Sequence, residues 1–411
     1  MVFNVIFLRL KNLKYFIFGF ASLYIFAFCI SAFASTGEEL TKNPYPDTPE
    51  WRTYINKSER WKALDAEIIS REIKAFGLDK PKLPEHTNKF GFETKNPDEW
   101  FKSEEGERIM GIILSFQTPS GGWSKRTDMA KSPREKGQAF GVEADYIPTF
   151  DNDATSTQLQ LLAQAYTVTR KRIYADAFER GVKLILDAQY PNGGWPQNYP
   201  LVGGYHDQIT YNDNLIKDLL ELLYDISIAK NEYAFVSKKI REQAQSSFEK
   251  GLDCIKKTQV VVNGQLTIWG AQHDRVTLAS TKARNFEMTS LASAESAALV
   301  NFLMDIDAPD ADIIKSVHAA AKWLNENKIL GQRWSQNDVA PRADAKAPPM
   351  WARFYEIGTN KPLFGDRDSS IHYSVSEISE ERRKGYGWYN TAGNKVLEKY
   401  KSWAEKYPLK S

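Results

Sequence analysis

The segment Leu114-Ser-Phe-Gln117-Thr-Pro-Ser-Gly121-Gly122-Trp123 returns 72 residues later as Leu186-Asp-Ala-Gln189-Tyr-Pro-Asn-Gly193-Gly194-Trp195. A degraded third copy keeps Gln259, Asn263-Gly264 and Trp269. Self-similarity at a regular spacing marks stacked repeats. The Pro-x-Gly-Gly portion suits a helix stop followed by a tight turn, and a purely structural turn accounts for the glycines. A second pair of segments repeats downstream: Thr149-Phe150-Asp151-Asn152-Asp153 and Thr210-Tyr211-Asn212-Asp213-Asn214. Each opens a helical pattern, with Leu159, Leu162 and Tyr166 after the first and Leu215, Leu219, Leu222 and Ile226 after the second. Another helical pattern follows, as in 174–189, where Phe178, Val182 and Ile185 share a side. Two helices per repeat predict an all-α toroid in which inner and outer helices alternate. Strand patterns are sparse. Val260 to Val262 and Leu266 to Trp269 are expected to pair around Asn263-Gly264.

Outward from the repeats, residues 124–150 and 331–370 resist helical assignment and are expected to be functional loops at one end of the toroid. The toroid is expected over 97–411. Residues 35–96 read as a separate N-terminal segment, helical from Trp51 to Gly77 and a Pro-containing connector from Asp79 to Asn96. Residues 1–34 read as a signal peptide. Arg9, Lys11 and Lys14 precede an apolar run from Tyr15 to Ser31, and Ala32-Phe33-Ala34 before Ser35 fits cleavage after Ala34. An uncleaved anchor is the alternative. The protein is therefore expected to be secreted or periplasmic, with no stable membrane association once cleaved.

Composition excludes several classes. With 42% hydrophobic and 26% charged residues, the 411-residue chain is no disordered, collagenous or multi-span membrane protein. Without the three basic residues of the leader, the 54 basic residues fall to 51, against 52 acidic. This near-neutral balance argues against a nucleic-acid partner. Cleavage leaves only Cys254, so no internal disulfide can form. Cys254 reads as an apolar helix residue. None of the five histidines falls in a zinc pattern, and His206 and His273 read first as structural.

The two polar triplets are the first chemical candidates. One Asp or Asn at a helix start is ordinary capping. Three at each of two starts also suit Ca²⁺, which takes carboxylate, amide and water oxygens. The second constellation is basic: Lys125 and Arg126 after the first Trp, then Arg275, Arg284, Arg353 and Arg367, flanked by aromatics or glycines. Surface arginines are commonly salt-bridged, and Glu287, Glu356, Asp366 and Asp368 offer partners. Guanidinium groups also bind carboxylates through two parallel hydrogen bonds. Acids, a metal and several arginines beside aromatics together point to a uronic-acid polymer. β-Elimination is the natural reaction: a base removes the C5 proton and the C4–O bond breaks.

The ordered set 117–125, 149–155, 189–197, 211–214, 283–287, 351–356 and 364–368 resembles the family 10 polysaccharide lyases, which are pectate lyases. The resemblance implies an (α/α) barrel, Ca²⁺ dependence and polygalacturonate as the acidic polysaccharide partner. It implies an arginine general base, falling here on Arg284. Arg353 and Arg367 match substrate-carboxylate arginines, Lys125 a cleft lysine, and Asp151 and Asp213 the acids around metal and substrate. Asp153 and Asn212 join the metal candidates from the triplet argument alone. Free arginine titrates at about 12.5–13.8. Neighbouring Ca²⁺ and arginines are expected to favour its neutral form, with an alkaline optimum. The rival readings are a metal-independent inverting glycoside hydrolase using Asp151 and Asp213, and a non-catalytic periplasmic uronate-binding protein.

Overall fold

In the computed structural model, which describes residues 44–409, the repeat resolves into a set of hydrogen bonds. The leader and its cleavage point lie outside the described residues. Helix α1 spans Pro49–Ala75 and α2 Glu104–Ser115. Three hairpins follow: α3 (Ser156–Thr169) with α4 (Arg172–Ala188), α5 (Leu215–Ser227) with α6 (Lys238–Thr258), and α7 (Ser293–Leu303) with α8 (Ala311–Glu326). A short α9 (Glu380–Lys384) precedes α10 (Ala392–Lys406), which packs on α7 and α8. Neighbour relations run α3–α5–α7–α10 in one row and α4–α6–α8 in the other. Helix α3 is buried on nearly every side, as an inner helix must be, whereas α4 and α6 bury one stripe. This is the (α/α) toroid.

Each repeat Trp is fully buried and donates its indole N–H to a carbonyl near the end of the preceding outer helix. Trp123 reaches Ile113 (2.7 Å), Trp195 reaches Ile185 (3.0 Å) and Trp269 reaches Ile255 (2.8 Å). Trp351 does the same to Leu324 (2.9 Å), so there is a fourth copy. The sequence hid it because Pro348-Pro349-Met350 stands where the Gly-Gly pair would be. The repeat Gln residues stitch turn to helix. Gln117 donates to Gly121 O and to Ala177 O on α4, at 2.8 and 2.9 Å. Gln189 joins Gly193 O to Ser247 O on α6, and Gln259 joins Thr267 O to Ser316 O on α8. The first glycine of each pair is obligatory at this close approach. Gly121 has φ 118°, and a Cβ there would lie 2.5 Å from Arg180 O.

Each Trp carbonyl also accepts from the chain just before an inner helix: Thr149 N (3.0 Å), Thr210 N (3.1 Å) and Ala292 N (2.7 Å). Trp351 pairs instead with Asn390. This brings the residues two places after each Trp, namely Lys125, Gln197, Ala271 and Arg353, to the end of the ring where the inner helices start.

The expected hairpin is present but tighter, Val261–Val262 with Gln265–Leu266, and its turn uses Asn263 (φ 51°) and Gly264 (φ 77°). Residues 331–370 are less irregular than expected. Phe354–Tyr355, Pro362–Gly365 and Ile371–His372 form a small antiparallel sheet with Leu291–Ala292. Strands of two to four residues are too short for alternation to show in a sequence. Residues 47–409 belong to one compact unit, which includes 47–96 of the N-terminal segment. Tyr54 of α1 donates to Ala188 O (3.0 Å), and Asp65 accepts Ser120 N (2.8 Å) and Oγ (2.6 Å) in the first repeat turn. Cys254 is buried in α6.

Candidate active site

The two polar triplets meet where α3 and α5 begin, and neither caps its helix by a side-chain hydrogen bond. Capping, the ordinary reading of such residues, is therefore not their role. They form left-handed turns instead: φ is 51° at Asn152, 62° at Asp153, 51° at Asp213 and 64° at Asn214. Asn and Asp tolerate this region better than other side chains, and backbone held there costs free energy that concentrates at functional sites.

These turns form one wall of a pocket of about 210 Å³. Asp151, Asn212 and Asp213 come from the triplets, Lys125 and Arg353 from the post-Trp positions, and Arg284 with Glu287 from the loop before α7. The structure brings six of the eight sequence candidates into this pocket. Asp153 is turned away: it faces Asp218, whose carboxyl is pushed up to about 7 by burial, with Asp153 adding to the shift against Lys217. Successive left-handed residues send neighbouring side chains to different sides, which separates Asp153 from Asp151. Arg367 stays at the exposed rim, paired with Glu381 (3.0 Å) and 5.4 Å from the Phe286 ring. Arg284 faces that same ring at 4.8 Å.

Lys125 and Asp151 form a buried ion pair at 2.5 Å, and the Lys125 ammonium sits 3.4 Å over the Tyr146 ring. Asp213 accepts from Asn212 (2.8 Å) and Asn152 (3.2 Å) and lies 3.8 Å from Arg353. Burial pushes the Asp213 carboxyl up to about 6, and the Asp151 charge adds to this against Arg353. Two adjacent carboxylates thus share this end of the pocket, each with a cation beside it. Arg353 donates to Asn212 Oδ1 (2.7 Å) and to Glu295 (2.5 Å). Burial disfavours its charge, but Glu295 together with Tyr386, Asp213 and Glu287 outweighs that and holds the guanidinium above its ordinary value.

Arg284 is gripped along one edge. Its Nε donates to Glu287 Oε2 (2.8 Å), its Nη2 pairs with Oε1, and Tyr386 OH donates to the same Oε1 (2.7 Å). Burial again works against the charge, and the Glu287 hydrogen bonds and charge reverse it, so Arg284 is held above its ordinary value. The nearest charged partner of Arg284 is this buried carboxylate, and it sets the direction.

Several buried polar atoms around the pocket have no hydrogen-bond partner: Asp151 Oδ1, Gln197 Oε1, Gln272 Oε1, Glu295 Oε2 and Arg353 Nε. Buried polar atoms are nearly always paired, and five that are not gather in and beside this pocket. Among the described residues no three His, Cys, Asp or Glu side chains converge as a metal site. The bare Asp151 Oδ1 beside the Asp213 carboxylate nonetheless fits a hard cation that completes its shell from amide oxygens, water or ligand. Asn212 Oδ1 is already taken by Arg353.

A family model described as pectic acid lyase matches residues 117–397. The chain belongs to the pectic acid lyase family. Two solved structures of a family 10 polysaccharide lyase from Cellvibrio cellulosa are similar to it. One is a single-residue variant in complex with trigalacturonic acid, 31% identical, with a TM-score of 0.66 over 76% of this chain and 97% of that one. The other, also 31% identical with a TM-score of 0.66, covers 79% of this chain and 100% of that one. No curated protein matches the chain. The chain is accordingly a polysaccharide lyase.

In and beside the pocket of this pectic acid lyase stand further residues that the sequence did not single out. Glu287 was visible only as a salt-bridge partner, and Glu295, Tyr146, Tyr205 and Tyr386 carried no signal. Gln197 carried one, since it follows Trp195 by the same two places that separate Lys125 from Trp123. His273 is structural: it accepts Gly270 N (3.0 Å), bonds Leu278 O (2.9 Å), and burial pushes it down to about 4. His206 stands behind Tyr146, 3.1 Å from its hydroxyl.

Proposed function

We propose that the protein is a Ca²⁺-dependent pectate lyase that cleaves polygalacturonate by β-elimination. The observation that carries this reading is the convergence of Lys125, Arg284 and Arg353 with two adjacent carboxylates in one pocket lined by unpaired polar atoms. The complex of the similar Cellvibrio cellulosa enzyme with trigalacturonic acid supports the substrate class. A uronate carboxylate in the pocket meets guanidinium and ammonium groups, which withdraw charge from it and make the C5 proton more acidic. Asp151 and Asp213 would hold Ca²⁺, which when bound adds further positive charge against the substrate carboxylate. Arg353 is fixed by Glu295 and Asn212 and orients that carboxylate.

Arg284, the base by family resemblance, presents the Nη1 side that Glu287 leaves free. It accepts the C5 proton only when neutral. Because its pKa is raised, the neutral fraction grows as pH rises through the alkaline range, and the rate climbs with it. The cleavage-competent leader expected at 1–34 makes the enzyme secreted or periplasmic; among the described residues no helix is long and apolar enough to cross a membrane.

The test is Arg284→Ala, followed in two assays. Turnover of polygalacturonate should fall by about three orders of magnitude or more, while calorimetric binding of trigalacturonate weakens only modestly. Retained turnover would remove Arg284 from the base role.

A further inference from the structure

Residues 85–90 precede the segment that defines the family, yet they run beside the loop that follows the first repeat Trp. Thr87 N donates to Arg126 O (2.9 Å), Asp128 N to Glu85 O (2.9 Å) and Met129 N to Phe90 O (2.8 Å). Phe90 is buried beneath this ribbon. Lys89 is thus held by backbone pairing on both sides and an apolar anchor next to it, unlike a lysine on a free surface loop. It stands with Arg126, whose backbone is itself left-handed at φ 54°. A bulky residue held there is costly and marks a position that the surrounding structure enforces.

Lys89 and Arg126 line a pocket of about 280 Å³ together with Asn88, Phe90, Asn152 and Asp213. Arg126, Asn152 and Asp213 also line the catalytic pocket, so the two share a wall. The acids bordering this second pocket face other groups. Asp213 faces Asn152, Asn212 and Arg353, and Asp153 faces Asp218. Arg126 leans on Glu143 at 3.2 Å. Lys89 makes no ion pair among the described residues.

We propose that residues 88–90 add a uronate subsite to the cleft, in which Lys89 and Arg126 bind the carboxylate of a sugar beyond the one held at Arg353. This rests on polygalacturonate being the substrate. The subsite comes from a segment that precedes residues 117–397, the span that the family model matches. It lengthens the stretch of polymer that the enzyme grips and makes it discriminate by chain length.

The test compares kcat/KM of the unaltered full chain and of Lys89→Ala on long polygalacturonate and on the shortest oligogalacturonate the unaltered protein cleaves. The ratio of long to short should fall by about tenfold, mainly through KM, as for one lost charge-assisted contact. Lys89→Arg should restore most of it. A ratio unchanged by Lys89→Ala would overturn the subsite. Failure of the unaltered protein to cleave either substrate would overturn the pectate reading, and the subsite with it.

Discussion

Glu287 shows how one residue sets the working range of another. Its carboxylate takes both Nε and Nη2 of Arg284 and keeps the guanidinium charged. Glu287→Gln keeps the shape and removes the negative charge. The Arg284 pKa then falls, the neutral form appears at lower pH, and the rising limb of kcat/KM against pH moves down by about one unit, since 1.4 kcal/mol corresponds to one unit. The height of the profile should also drop as the guanidinium loses its fixed orientation. An unmoved limb would show that Arg284 is not the titrating base. At this scale the sequence revealed the charged residues but not their pairing. Arg284 and Glu287 are three apart and could be read as a surface ion pair, whereas Glu295 stands 58 residues from the Arg353 it holds and left no local trace. Asp153 looked equivalent to Asp151 because both sit in one triplet. Only the left-handed turn between them decides that they face different sides.

Among the elements, the repeat turn is the unit that was most legible, because its Gln, Gly and Trp each make one recurrent contact. Gln259 is buried and its amide bridges Thr267 O and Ser316 O, tying the third turn to α8. Gln259→Ala strands two carbonyls and should cost about 1–3 kcal/mol, read as a lower Tm with little change in KM. A Tm equal to that of the unaltered protein would show that the stitch is dispensable. The fourth turn escaped notice because its glycines are replaced, although its Trp351 keeps the same indole bond. The connector from Asp79 to Asn96 had no legible role, since what it does depends on backbone pairing with a loop some 40 residues away.

For the whole molecule, the toroid explains why chemistry gathers at one end. Three of the four turns deliver their post-Trp residues, Lys125, Gln197 and Arg353, to one pocket, although these are distant in sequence. Stability across pH also belongs to this scale. His273 is buried and neutral, with its Nε2 accepting Gly270 N. Its folded pKa, about 4, lies below the ordinary value of 6.5. The stability it protects is therefore fully present above about 6.5 and is lost as pH falls toward 4. Denaturant titrations should show a loss on the order of 1–3 kcal/mol over that window, and His273→Asn should flatten this dependence. An unchanged slope would place the acid sensitivity elsewhere.

Elimination assisted by a bound cation is the central proposal for this enzyme. Its most direct test is ultraviolet absorbance during incubation with polygalacturonate, first with Ca²⁺ and then with excess chelator. The account predicts a steady rise from C4–C5 unsaturated ends that chelator abolishes and added Ca²⁺ restores. A rise indifferent to chelator would contradict the metal role of Asp151 and Asp213. New reducing ends without absorbance would contradict elimination itself.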